Sequence, residues 1–253
     1  MAKCTEYQKI CPLEALPFNL DDEVAVAKEF PHMENVDVRD FNVSETFLYP
    51  DYAVRSFTND IALLKIDRTV DFSEHIQPAC LPHLNTEISN KVVATGWGKT
   101  VSAMHKRPSS LQKVPLNLVS FDVCKESYPP SLNFQKGPIN QTQLCAGSNR
   151  GERDTCAGFG GGPLPNTGRK FSCLHEIVGI TSFGKGCGDG DPGVYTRVTS
   201  YIDWIEGIVW SEKTKQNRQY LLISGLAGAG RTCGSPLNEF HTISQYATNS
   251  LVV

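Results

Sequence analysis

The stretch TCAGFGGGPLPNTG, residues 155–168, holds the clearest chemical signal in the chain. Its frame, Gly158-x-x-Gly161-Gly162-Pro163-Leu164, has the glycine spacing of a tight turn that lifts one residue out as a nucleophile. The two residues inside the frame are Phe159 and Gly160, and neither has an atom that can attack a carbonyl. Acyl transfer by an alcohol needs an oxygen, an imidazole that takes its proton, and a carboxylate that orients the imidazole. Asp60, in NDIALLKI (59–66), is the carboxylate candidate; its other use is turn contacts at a strand entry. His32, His75, His83, His105, His175 and His241 read as surface or packing residues.

The elements that must position these groups are those of an ordinary globular chain. Of 253 residues, 40% are hydrophobic and 20% charged, and the net charge of -3 gives no electrostatic footprint for nucleic acid or an acidic membrane. Nine cysteines point to an oxidising compartment, and the odd count leaves one thiol free or paired with another chain. No C-x2-4-C pair occurs, which argues against zinc, and nothing in the sequence calls for a cofactor or a metal. The sequons Asn42-Val43-Ser44 and Asn140-Gln141-Thr142 fit a secreted glycoprotein. The start, MAKCTEYQKICP, has no apolar signal-peptide core, so the reading is an extracellular chain lacking its true beginning. No apolar run approaches the ~20 residues of a membrane span.

From about Asn59 onward, short apolar runs alternate with Gly, Pro, Asn and Asp. Strands are expected at Ile61–Ile66, Lys91–Thr95, Val114–Val119, Glu176–Thr181 and Gly193–Val198, spaced as in an all-β barrel or sandwich. In SYIDWIEGIVW, Ile202, Ile205, Ile208 and Val209 predict a helix that packs on the barrel, capped by Ser200. The texture changes after Trp210, where SEKTKQNRQ is polar and linker-like. Three segments are expected: a linker or pro-segment remnant over 1–22, the folded domain over 23–210, and an unrelated or disordered tail over 211–253.

NDIALLKI, PACLP (78–82), ATGWGKT (94–100), QLCAG (143–147), DTCAGFGGGPL (154–164), GITSFGKGCG (179–188) and PGVYTRV (192–198) occur in this order. With EFPHM (29–33) and the terminal helix they resemble the chymotrypsin/trypsin-like serine proteases, closest to arthropod clip-domain proteases and their non-catalytic homologues. The resemblance covers roughly residues 23–210. It implies two six-stranded β-barrels with the site between them. EFPHM runs straight into ENVDVRDFNVSETFLYPDY, so the segment carrying the family's histidine is missing near Met33-Glu34. The first barrel is therefore expected to be truncated, with unpaired strand edges.

The resemblance places Asp60 at the orienting carboxylate, now vestigial, and Gly160 at the serine. Loss of the serine or the histidine alone lowers turnover by about six orders of magnitude. Phe159 stands where the family has an Asp that pairs with the amino group freed at activation. The aligned cut, Phe18-Asn19-Leu20-Asp21-Asp22, lacks a basic residue, so both partners of that switch are absent. The amides of Gly158 and Gly160 match the oxyanion donors. Asp154 matches the pocket base of trypsin-like enzymes, and Ser182, Gly184 and Gly193 match the pocket walls. Asp154 has a second reading, a loop residue in a collapsed pocket. Cys124–Cys145 and Cys156–Cys187 match two family bridges. Cys80 matches the cysteine that ties the domain to its N-terminal segment, with Cys11 or alternatively Cys4 as partner. Cys173 and Cys233 have no assigned partners.

In the tail, Gly225-x4-Gly230-Arg231-Thr232 is one residue from a phosphate-binding loop, but only 21 residues follow, too few for a nucleotide-binding sheet. The first functional expectation is a secreted pseudoprotease of the clip-domain-like, innate-immune type. It would act on protein partners, whether a protease, a zymogen or an inhibitor of a cascade. The alternative is a trypsin-like endopeptidase cutting after Lys or Arg. A third reading is a mis-spliced product of a protease-homologue gene.

Overall fold

The computed structural model describes residues 24–25, 29–30, 41–53, 56–73, 76–98, 109–131, 136–148, 155, 159–167, 175–185, 189–210, 220–223 and 251–252. The strands are β1 (Val43–Leu48), β2 (Ala62–Ile66), β3 (Lys91–Gly96), β4 (Gln112–Leu118), β5 (Gln143–Gly147), β6 (Pro163–Pro165), β7 (Ile177–Phe183), β8 (Gly193–Arg197), β9 (Tyr220–Ile223) and β10 (Leu251–Val252). The helices are α1 (Phe121–Ser127) and α2 (Ile202–Val209), the latter entered through a 3-10 turn, Val198–Tyr201. All five expected strands form, within two residues at each end.

One sheet has the order β3-β4-β5-β8-β7-β6, every named pair antiparallel. An isolated bridge between Val92 and Asn166 joins its two ends, so the sheet curls nearly shut. The interior is filled by Val92, Ala94, Val114, Leu116, Leu144, Phe159, Leu164, Val178 and Tyr195, all buried. Apolar residues at alternating positions of β3 and β4 supply one wall, as period-2 side chains must. Helix α1 is tied to this barrel by the disulfide Cys124–Cys145, one of the pairings implied by the resemblance.

The other sheet has the order β1-β2-β9-β10. Strand β2 is central and every residue in it is buried, whereas β1 is mostly exposed. On the far side of β2 lies β9, in the register Ala62↔Ile223, Leu63↔Leu222, Leu64↔Leu221 and Lys65↔Tyr220.

Helix α2 closes the domain as expected. Ile202, Ile205 and Val209 pack with Ile61 and Leu63 of the first sheet and Ile177 and Ile180 of the second. Its cap differs from the expectation: the N-cap is Tyr201 without a side-chain bond, and Ser200 donates instead to the Gln141 carbonyl at 2.5 Å. The 3-10 turn moves the helix start past Ser200, so the hydroxyl serves a neighbouring loop.

The early segment joins the second barrel. The Ala25 amide donates to Leu111, and Phe30 packs with Val93 and Leu111. Lys113 of β4 donates to both Glu29 oxygens, at 2.6 and 2.9 Å, with both side chains almost wholly buried. His175 donates from Nε2 to the Glu29 carbonyl at 2.8 Å and stacks on Phe30. Burial lowers its pKa to about 4. Cys80 is disulfide-bonded; its expected partners Cys11 and Cys4, the expected pair Cys156–Cys187, and Cys173 and Cys233 lie outside the described residues.

Candidate active-site remnant between the two sheets

Asp60 sits at the entry of β2, 1% exposed. Two left-handed residues precede it, Phe57 at φ 51° and Asn59 at φ 54°. The Asn59 amide donates to Asp51, and its side-chain oxygen accepts from the Tyr201 hydroxyl at 2.9 Å. These bonds hold a backbone conformation that Asn tolerates better than most residues. The turn thereby delivers the Asp60 carboxylate to the boundary between the sheets.

A buried carboxylate needs donors. Ser182 of β7 donates to Asp60 Oδ2 at 2.5 Å, and Thr196 of β8 donates to the Asp60 carbonyl at 2.7 Å. Ser182 thus orients the Asp60 carboxylate, while Thr196 anchors the Asp60 backbone to the six-stranded sheet. Sequence reading assigned Ser182 to a pocket wall and did not find this role. The Tyr52 hydroxyl is buried nearby without a hydrogen-bond partner, and burial together with the Asp60 charge raises its pKa. Burial also pushes Tyr201 up to about 12. Both phenols therefore stay protonated near neutral pH.

The glycine turn lies beside Ser182. The Gly161 amide donates to Thr181, Thr181 returns a bond to Gly162, and the Gly162 amide closes onto Phe159. Gly161 has φ 79°, a glycine conformation. A Cβ on Gly162 would meet the carbonyl oxygens of Phe159 and Thr95 at 2.8 Å, so no other residue fits. Gly160 is exposed at the tip, while Phe159 is fully buried with its ring in the second barrel's core. At its exposed tip the turn carries a glycine, which has no side chain.

Of the expected pocket residues, Gly184 is exposed, Gly193 is buried, and a Cβ on Gly184 would lie 4.0 Å from the Gly193 Cα. A Cβ on Gly193 would meet Thr155 Oγ1 and the Tyr195 ring at 3.2 Å. Thr155 and Tyr195 share a hydroxyl hydrogen bond of 2.8 Å. Asp154 and Gly158 lie outside the described residues. Phe183 stacks on Phe57 at 4.7 Å and meets Tyr128 edge-on at 5.6 Å, an aromatic shelf that spans the two sheets. The shelf was not read from the sequence, because its members lie far apart in the chain.

The two described histidines are engaged elsewhere. His175 holds the Glu29 segment, and exposed His83 accepts from the Asn85 amide at 3.3 Å. His32, His75, His105 and His241 lie outside the described residues. No group of three His, Cys, Asp or Glu among the described residues could hold a metal ion. Among the described residues no helix is long and apolar enough to cross a membrane.

Comparison with known proteins gives the family. The trypsin family profile matches residues 19–205. Serine protease snk of Drosophila melanogaster is 41% identical over 175 residues, covering 69% of this chain and 40% of that protein. The clotting factor G beta subunit of Tachypleus tridentatus is 36% identical over 183 residues, 68% of this chain and 57% of that protein. Serine protease Hayan of Drosophila melanogaster is 36% identical over 178 residues, 68% of this chain and 28% of that protein. The chain therefore spans between about a quarter and three-fifths of these relatives' lengths.

Proposed function

This chain belongs to the trypsin family of serine proteases, and from that premise we propose that it works by binding rather than by cleaving. It is a secreted, non-catalytic serine protease homologue whose partners are proteins of an extracellular cascade: a protease, a zymogen or an inhibitor. The observation that carries this reading is Gly160, an exposed glycine at the tip of the turn where a nucleophile belongs. Without an oxygen there, no acyl-enzyme forms, and what remains is background.

Two further observations support it. The ring of Phe159 fills the barrel core, so the residue at the position of the activation carboxylate is used for packing. Asp60 is held by Ser182 and Thr196, bonds that stabilise the seam between the sheets without any reaction. The name of one relative, the clotting factor G beta subunit, supports a cascade setting. The sequons at Asn42 and Asn140, both exposed, support secretion and glycosylation.

A trypsin-like endopeptidase cutting after Lys or Arg is the competing reading. It is favoured by the pocket residues Ser182, Gly184 and Gly193 and by the order of the motifs around Asp154. A serine-directed fluorophosphonate probe separates the two. The full chain is expected to stay unlabelled while active trypsin labels fully. Stoichiometric labelling of one serine, with cleavage after Lys or Arg, would establish the endopeptidase.

A further inference from the structure

The second edge of β2 is filled from an unexpected place. Residues 220–223, beyond α2 and a nine-residue polar stretch (211–219), pair with β2 over four positions. β2 is buried at every residue, and apolar at all but Lys65. Left unpaired, that edge would present N–H and C=O groups with no partner, which buried backbone does not tolerate. It would also be a template for any extended apolar strand.

Three features suit residues 220–223 to the role of built-in occupant. YLLI is an apolar run rich in strand-compatible residues. Its root is fixed next to the acceptor, because Ile205 and Val209 of α2 pack with Ile61 and Leu63. A short tether from that root keeps the strand at high effective concentration. On its outer side, among the described residues, it pairs with the two-residue β10.

We infer that the edge of β2 opposite β1 is a strand-acceptor site, that residues 220–223 occupy it in cis, and that the site takes the same strand in trans once its own is displaced. The segment after α2 then belongs to the first sheet. This holds whether or not the chain is catalytic.

The test is hydrogen exchange on the full chain, on Leu222→Pro, and on Leu222→Pro with a synthetic peptide of residues 217–226. Proline removes a ladder donor and blocks the strand. Protection at residues 62–66 is expected to fall about tenfold or more in Leu222→Pro, while β5 (143–147) stays within about twofold. The peptide is expected to restore it, and a scrambled peptide is not. Unchanged protection at 62–66, a loss shared equally by β5, or no recovery with the peptide overturns the inference. Leu64→Cys with Leu221→Cys in the otherwise unaltered chain gives an independent reading, since these residues face each other in register. A cross-link absent from the Leu64→Cys control is expected, within one chain or between two copies. No cross-link overturns the inference.

Discussion

The two sheets solve the same problem with different resources. The six-stranded sheet is built from a continuous stretch of chain, residues 91–197, and its two ends meet through Val92 and Asn166. The four-stranded sheet takes two strands from the region before residue 67 and two from beyond residue 219. Closure leaves the six-stranded sheet with little unpaired edge, whereas the four-stranded sheet depends on a strand from beyond residue 219. The contrast extends to charge. One ion pair on the six-stranded barrel, Lys113–Glu29, is buried at both ends, whereas Lys185–Asp191 is more exposed; Lys65–Glu45 in the four-stranded sheet leaves Glu45 half exposed. Stability is therefore expected to be concentrated in the second barrel. The site lies where the two meet: Asp60, at the entry of β2, takes a bond to its carboxylate from Ser182 and one to its backbone carbonyl from Thr196, both of the six-stranded sheet.

The sharpest way to break that contrast is Phe159→Asp, which puts the family's carboxylate back. It removes a fully buried ring from the barrel core and leaves a charge in its place. The loss is expected to be at least about 3–5 kcal/mol, read as a lower urea midpoint. An unchanged midpoint would mean that the ring is not part of the core. Next is Lys113→Met, which removes the buried cation that pairs with the buried Glu29 carboxylate. It should cost about 3–5 kcal/mol alone, and Glu29→Leu added to it should recover most of that. If the double variant is as unstable as the single one, the pair contributes more than charge compensation.

Acid tests the same seam. His175 titrates at about 4 in the folded chain because burial disfavours its charge, against an ordinary value of 6.5. Between those values the unfolded chain holds the extra proton, so stability falls as pH falls from about 6.5 towards 4. The size is on the order of 3 kcal/mol, and His175→Gln should flatten the profile over that window. At the small end, Glu45→Gln in the first sheet should change stability by less than about 1 kcal/mol, because exposed ion pairs contribute little. A larger loss would show that the first sheet is less open to solvent than its burial pattern indicates.

The second barrel was largely legible in the sequence because its strands are apolar and regularly punctuated, and the same residues carry the family motifs. β1 was not, since VSETFL is mostly exposed and shows no clean alternation. α1 was missed because it is one short element that buries only Cys124. The helix α2 was found from its period, yet its cap was misplaced, because the choice between a 3-10 and an α-helical first turn depends on what Ser200 meets in space. At the candidate site, motif order singles out Asp60, Phe159 and Gly160, and the structure buries the first two and exposes the third. The Ser182 bond joins residues 122 positions apart, and no local pattern carries that. Nor could any local pattern show that residues 220–223 pair with β2. Lys113 did leave a trace, a cation inside the apolar run QKVPL, which is how a buried ion pair looks before its partner is known.

The central claim is that the glycine turn presents nothing that can attack. Its most direct measurement is hydrolysis of Lys- and Arg-containing peptide substrates by the purified full chain, with Gly160→Ala as the comparison. The account predicts the same background rate for both, since neither side chain supplies a nucleophile. Turnover by the unaltered chain that Gly160→Ala abolishes would contradict it, and would place a working catalytic centre at this turn.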